Sequence, residues 1–214
     1  NRVDAGVSFI YADTALNGNG PAPIELLEAD RSAVFTFPDT TDNRLGFGQA
    51  RLNLVVTPTF SVQANGYYRD LERRTLNGDE AEFAPCESDD LPARAPADTL
   101  CHGVGGADDD EGGNGDTGAD SLVDVLTGRF ITQEDVMGDG ALNRSLTRSA
   151  GYGATVQTTS TRALAGRDNV LVFGVAADLA DVAFASSSEV GSLTPERTVH
   201  GSGLLAGIHA RAPD

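Results

Sequence analysis

Apolar and polar positions alternate with a period of two over most of this chain, the period of a strand with unlike faces. After Asp168, the residues Leu171, Phe173, Val175, Ala177 and Leu179 alternate with Val172, Gly174, Ala176, Asp178 and Ala180. The first set is wholly apolar and the second is small and mixed. Ala50, Leu52, Leu54 and Val56 alternate in the same way with Gln49, Arg51, Asn53 and Val55, and Thr57, Pro58 and Thr59 then supply a tight turn. The chain returns through Phe60, Val62, Ala64, Gly66 and Tyr68, interleaved with Ser61, Gln63, Asn65, Tyr67 and Arg69, which reads as a hairpin. A second hairpin opens with Tyr152, Ala154, Val156 and Thr158 against Gly153, Thr155, Gln157 and Thr159, and turns over Ala165 to Asp168. Val3, Ala5, Val7, Phe9 and Tyr11 mark one side of an opening strand.

These patterns predict strands over about residues 2–13, 43–56, 60–73, 148–160, 168–185 and 199–210, an all-β antiparallel meander of long strands. Strands of globular proteins usually run to about five or six residues. A tilted strand crossing a bilayer needs roughly 9–11. The connections are also unequal. Tight turns at Thr57 to Thr59 and Ala165 to Asp168 leave residues 14–41, 76–147 and about 187–198 at the opposite end, all long or polar. Short periplasmic turns and long outer loops build a transmembrane β-barrel, so the fold expected is a fragment of such a barrel. No run approaches the roughly 18 apolar residues of a membrane-spanning helix, but a barrel hides its hydrophobicity in alternate positions. Asn1 is followed by no charged and then apolar leader, and the chain is read as a piece of something longer.

Charge changes this picture locally. The net charge is −17, yet residues 79–139 hold 17 Asp and Glu against only Arg94 and Arg129, so one stretch supplies −15 of it. The strands are nearly neutral, and a basic groove for nucleic acid is absent. The acidic stretch reads first as a mobile, solvated outer loop and second as a cation-binding or gating element. Cys86 and Cys101, the only cysteines, both fall within it and are expected to form a disulfide; reduced thiols, or zinc with His102, are the alternatives. Asp108, Asp110, Asn114, Asp116 and Asp120 offer oxygen ligands for a weak calcium site. Ser121 to Leu126 is a candidate short helix, Thr132 with Asp135 resembles a helix cap, and a helical turn is expected after Pro23. The apolar Val34, Phe35 and Phe37 suggest that the first outer loop folds back on the barrel mouth.

Catalytic chemistry finds little support. Gly113, Gly115 and Gly118 have the spacing of a dinucleotide loop, but acidic neighbours would repel phosphate and the strand-helix context is missing. His102, His200 and His209 have no nucleophile motif for a partner, and the protein is not expected to be an enzyme. On parity alone, Arg51, Gln63, Asn65, Arg69 and Gln157 are the candidates to face a lumen and meet a small ligand.

The stretch LLEADRSAVFTFPDTTDNRL from Leu26 to Leu45, NGYYRDLERRTLNGD from Asn65 to Asp79 with Cys86 and Cys101 after it, and the run from Gly151 to Val199 resemble barrel segments of TonB-dependent outer-membrane receptors. The resemblance is extended rather than carried by a signature. It implies a wide barrel in outer-membrane lipid around an N-terminal plug. Such a barrel takes up a scarce nutrient, such as an iron–siderophore complex, with energy delivered through the plug by an inner-membrane protein. This chain shows no plug and no energy-coupling box. A passive porin-like barrel and a secreted calcium-dependent β-rich module are the competing expectations.

Overall fold

The computed structural model describes residues 2–18, 20–81, 83–88, 91–102, 121–136 and 139–211, the last five of these by backbone alone. In chain order the elements are β1 (Arg2–Asn17), α1 (Ile24–Ala29), β2 (Asp39–Thr57), β3 (Phe60–Glu80), β4 (Phe83–Pro85), β5 (Leu100–His102), β6 (Gly140–Ser160), β7 (Leu171–Leu193) and β8 (Val199–Arg211). The long strands form one six-stranded sheet in the order β1-β2-β3-β6-β7-β8, antiparallel throughout, while β4 and β5 pair with each other in the excursion between β3 and β6. The fold is thus all-β, an antiparallel meander that stays open rather than closing on itself.

The strands extend further than the alternation indicates, with β3 and β6 reaching 21 residues each and β7 reaching 23. Their added length lies at the long-loop end, where both faces turn polar and alternation fades. Hydrogen bonds between side chains take over there, as between Thr75 and Ser145 at 2.6 Å and from Ser188 to Asn143 at 2.8 Å. The loops shrink accordingly. The acidic excursion spans 81–139 rather than 76–147, and the first outer loop spans 18–38. The third outer connection is corrected most: the expected loop at 187–198 is strand up to Leu193, followed by a turn in which Arg197 N–H donates to the Thr194 carbonyl.

At the other end, Pro58 and Thr59 turn β2 into β3, with Thr59 N–H donating to Thr57 Oγ1 at 3.3 Å. Ala165 and Gly166, both at positive φ (51° and 76°), form a two-residue turn within the β6–β7 connection, closed by paired backbone hydrogen bonds between Leu164 and Arg167. Two positive φ values in succession match the right-handed strand twist and suit glycine.

The core lies outside the tight-turn half of the sheet. Leu100, Leu122, Ile131 and Val136 of the excursion pack around Val190 of β7, with Phe83, Leu204 and Ala206 against them. Its described parts therefore form a packed lobe, not the mobile loop that composition suggests. Within it Ser121 to Leu126 is not helical: Ser121 bridges Cys101, Val123 bridges Phe130, and a turn follows at 125–127. Thr132 N–H and Oγ1 both donate to Asp135 at 3.0 Å, but they close a single turn and cap no helix. The turn after Pro23 is helical as α1, and Phe37 of the first loop pairs across the long-loop end with Thr198.

Candidate functional site

Residues opposite one another in an antiparallel register share a face, so the pairing sorts every strand side chain to one side or the other. One face carries successive cross-strand rows of Val3, Leu54, Val62, Thr158 and Phe173, then Ala5, Leu52, Ala64, Val156 and Val175, then Val7, Ala50, Gly66, Ala154 and Ala177. The next row holds Phe9, Gly48, Tyr68, Tyr152 and Leu179, a line of rings across the sheet. These side chains are uncovered: Val7 is 87% exposed, Phe9 72% and Phe173 69%. The hydroxyl of Thr158, the polar member of these rows, donates back to the Phe173 carbonyl at 3.4 Å. From Phe60 to Tyr68 the band covers nine residues, eight steps or ~27 Å at about 3.4 Å per residue. At a barrel tilt of roughly 40° that is ~21 Å of height, near the ~25 Å apolar band that barrels present to lipid between aromatic girdles.

Charge begins on this face directly beyond the rings. Arg44 pairs with Asp13 at 3.5 Å, Glu72 holds both Arg74 at 2.8 Å and Arg148 at 2.9 Å, and Arg144 pairs with Glu189. Each guanidinium there is ion-paired, Glu72 serving two of the four.

The opposite face is largely polar along the same length, with Ile10, Phe47, Val55 and Val172 as its larger apolar members. All five candidates, Arg51, Gln63, Asn65, Arg69 and Gln157, lie on it. Arg51, Gln63, Asn65 and Gln157 come together with Asn53 and Thr155 around a shallow hollow of about 490 Å³. Arg69 stands apart, between Phe47 and Gly151 in the register, two rows nearer the long-loop end. Between them is a contact that sequence reading did not single out. Tyr67 stacks on Phe47 with centroids 6.0 Å apart and donates its hydroxyl to Asp178 at 2.7 Å. The hydrogen bond reaches from β3 over β6 to β7, and it does so across Gly153, where a Cβ would come within 2.7 Å of the Tyr67 ring. Tyr67 and Asp178 are 111 residues apart, and only the glycine in an otherwise apolar and polar alternation signals that something crosses there.

The described part of the lobe beyond the sheet is held together by side-chain contacts. Cys86 and Cys101 form a disulfide with Cα atoms 4.9 Å apart. His102 packs its ring edge-on against Phe83 at 5.5 Å. Asp124 is buried and accepts from Thr127 Oγ1 at 2.5 Å and from the Leu205 N–H of β8 at 3.1 Å, which ties the lobe to the sheet. The Thr127 hydrogen bond first, and then the backbone donors, outweigh burial and hold the Asp124 carboxyl below its ordinary value. Burial pushes Asp135 up, but Arg129 at 2.9 Å and Thr132 more than reverse this, so its carboxyl also lies low. The calcium candidates Asp108, Asp110, Asp116 and Asp120, with Asn114, fall outside the described residues. Among the described residues no three His, Cys, Asp or Glu side chains gather as a metal would need, and no helix is long and apolar enough to cross a membrane. No family model, curated protein or solved structure matches this chain.

Proposed function

We propose that this chain is a stretch of the wall of a bacterial outer-membrane receptor of the TonB-dependent type, which takes up a scarce nutrient such as an iron–siderophore complex. One observation carries the reading: an uncovered apolar face, continuous over five strands and ended by a row of rings, backed by a polar face of equal length. In water such a face is a liability. Facing hydrocarbon, it is the surface that holds the sheet in place. The polar face then looks into a lumen, with Arg51, Gln63, Asn65, Arg69 and Gln157 as the side chains that meet solute. The disulfide-bonded lobe and the first loop stand outside, where an oxidising environment preserves the bond. The role is passage rather than catalysis, and energy reaches it from an inner-membrane partner through a plug. The free edges of β1 and β8 are where the remainder of the wall joins, since edges do not face lipid unpaired.

The test is a scan of single environment-sensitive labels from Val170 to Ala180 in the protein reconstituted into lipid vesicles. Labels at 171, 173, 175, 177 and 179 are expected to report lipid, and those between them water or protein. Uniform burial without lipid contact would sink the proposal and favour a water-soluble β-rich module. If the alternation holds, uptake that persists without an inner-membrane energy source would instead indicate a passive pore.

A further inference from the structure

The arginines of the long strands divide by face. On the apolar side, beyond the rings, Arg44, Arg74, Arg144 and Arg148 are each ion-paired. On the polar side Arg51, Arg69 and Arg73 make no ion pair or hydrogen bond among the described residues, and all three are exposed. Their spacing is regular as well. Arg51 lies opposite Asn65 on β3, so Arg69 is four residues further along that strand and Arg73 four beyond it. At about 3.4 Å per residue the backbone positions of the three arginines are spaced ~14 Å apart along ~27 Å of strand. Each stem leaves the wall on the same side.

Resting on the reading of the polar face as a lumen wall, we propose that Arg51, Arg69 and Arg73 form a track for an anionic solute, one bearing carboxylate or phosphate groups. A guanidinium presents five donors in a planar fork that matches either group and stays charged at any working pH. Lining up three of them without carboxylates of their own leaves that capacity for something arriving from outside the chain. The other charged groups of this face do not cancel the track. Asp178 is taken by the Tyr67 hydroxyl at 2.7 Å. Asp4, one row from Arg51, is balanced by Arg2 beside it on the same face of β1. Asp39 and Asp79 lie at the outer ends of β2 and β3, beyond Arg73, and the Asp39 carboxylate accepts from Gly20 N–H at 2.8 Å. Nor does the acidic lobe decide the matter. Exposed charge is screened over ~8 Å at physiological salt, a fraction of the track's length. The neutral amides of Gln63, Asn65 and Gln157 beside Arg51 can hydrogen-bond the hydroxyls and carbonyls of the same solute without adding charge.

The experiment uses the protein in neutral phosphatidylcholine vesicles, with a fluorophore on a single cysteine replacing Thr155 in the Arg51 row. Citrate and pyrophosphate are titrated against glucose and spermidine at matched ionic strength. The two anions are expected to give a saturable change that glucose and spermidine do not. The Arg51→Gln, Arg69→Gln, Arg73→Gln variant should shift the citrate midpoint roughly tenfold or more, as loss of charge-assisted hydrogen bonds requires, and the corresponding lysine variant should recover most of it. Arg44→Gln with Arg148→Gln on the other face should leave it unchanged. An equal response to glucose, or a citrate midpoint indifferent to the three polar-face substitutions, overturns the track. The label scan on β7 separates the two failures. If it still reports lipid, only the anion track is lost; if it does not, the wall and the track fall together.

Discussion

The tight-turn half of the sheet and the disulfide-bonded lobe are stabilised by different means, although one chain makes both. The lobe buries Leu100, Leu122, Ile131 and Val136 around Val190 and closes the Cys86–Cys101 bond. It is organised like a small water-soluble domain, with its apolar groups inside. The sheet below it has no core of its own: Val3, Val7, Phe9, Leu171, Phe173 and Val175 are all exposed. What holds it locally is the backbone ladder, which pairs β3 with β6 over 21 successive residues without a break. A ladder alone would not select which face is apolar. On the proposed reading this contrast marks a change of solvent, with water around the lobe, hydrocarbon against the sheet, and the row of Phe9, Tyr68 and Tyr152 at the boundary.

The largest way to break the contrast is a charge on the wrong face. Val175→Arg puts a guanidinium in the middle of the apolar band and should cost about 2–4 kcal/mol when folding is measured in vesicles by denaturant titration. Ala176→Arg, its neighbour on the polar face, should cost far less. If the two cost the same, the faces do not see different solvents.

The same logic applies to the lobe in the opposite direction. Replacing Cys86 and Cys101 by serine should remove ~3 kcal/mol from the lobe, the chain-entropy value for a loop of this length. The loss should appear as faster amide exchange at Leu100, Leu122 and Ile131. The ladder between Phe60 and Arg69 should keep its protection. Loss of protection in both regions together would make them one cooperative unit rather than two.

Within the sheet, Gly153→Ala is a sharper and smaller perturbation. The added methyl would meet the Tyr67 ring at 2.7 Å and the Asp178 carboxylate, in the path of the hydrogen bond that crosses β6. Overpacking of this kind costs roughly 1–3 kcal/mol. Tyr67→Phe should cost less, because it removes the hydrogen bond without the clash. Reversal of that order would mean that the hydroxyl, and not the space over the glycine, is what the contact depends on.

How far these features are legible in the sequence follows from their range. The hairpins around Pro58 and around Gly166 are local, and alternation beside a turn exposes them directly. The cysteine pairing is nearly local, since only two cysteines exist and both lie in one excursion. Strand ends are harder. From Arg73 to Glu80 both faces are polar apart from Leu76, so nothing in the pattern distinguishes a continuing strand from a loop, and the pairing with Gly140 to Thr147 that settles it lies 60 to 74 residues away. The lobe was illegible for another reason. Leu100, Leu122, Ile131 and Val136 have no period, because they come from short bridges and turns rather than from a repeating element. Ser121 to Leu126 fails to become a helix because its backbone pairs with segments outside it, Leu122 N–H donating to the Leu100 carbonyl, Asp124 N–H to that of Arg129 and Val125 N–H to that of Leu205. The polar-face candidates follow from parity once the register is known. Parity with Arg69 places Arg73 on the same face, whereas the role of Asp178 required the neighbouring strands, since its partner Tyr67 lies 111 residues away.

The smallest expected effect is a pH dependence at the joint between the two regions. The Asp124 carboxyl is held below its ordinary 3.8 mainly by the Thr127 hydroxyl, with the Leu205 N–H helping. A lowered folded value means that the anion is favoured by folding. Its contribution is complete above the ordinary value and is lost as pH falls through the lower, folded one. Asp135, also lowered, acts in the same direction but through Arg129 inside the lobe. Amide exchange at Leu205 and Val125 should therefore accelerate only when the pH drops below about 4, while exchange in the β2–β3 ladder stays unchanged. Asp124→Asn retains an oxygen acceptor for Leu205 but cannot titrate, and should flatten the acid dependence at Leu205 even as Asp135 continues to loosen the lobe around Thr132. An acid response at Leu205 undiminished in that variant would move the joint from Asp124 to the apolar packing of Leu204 and Ala206 against Val190.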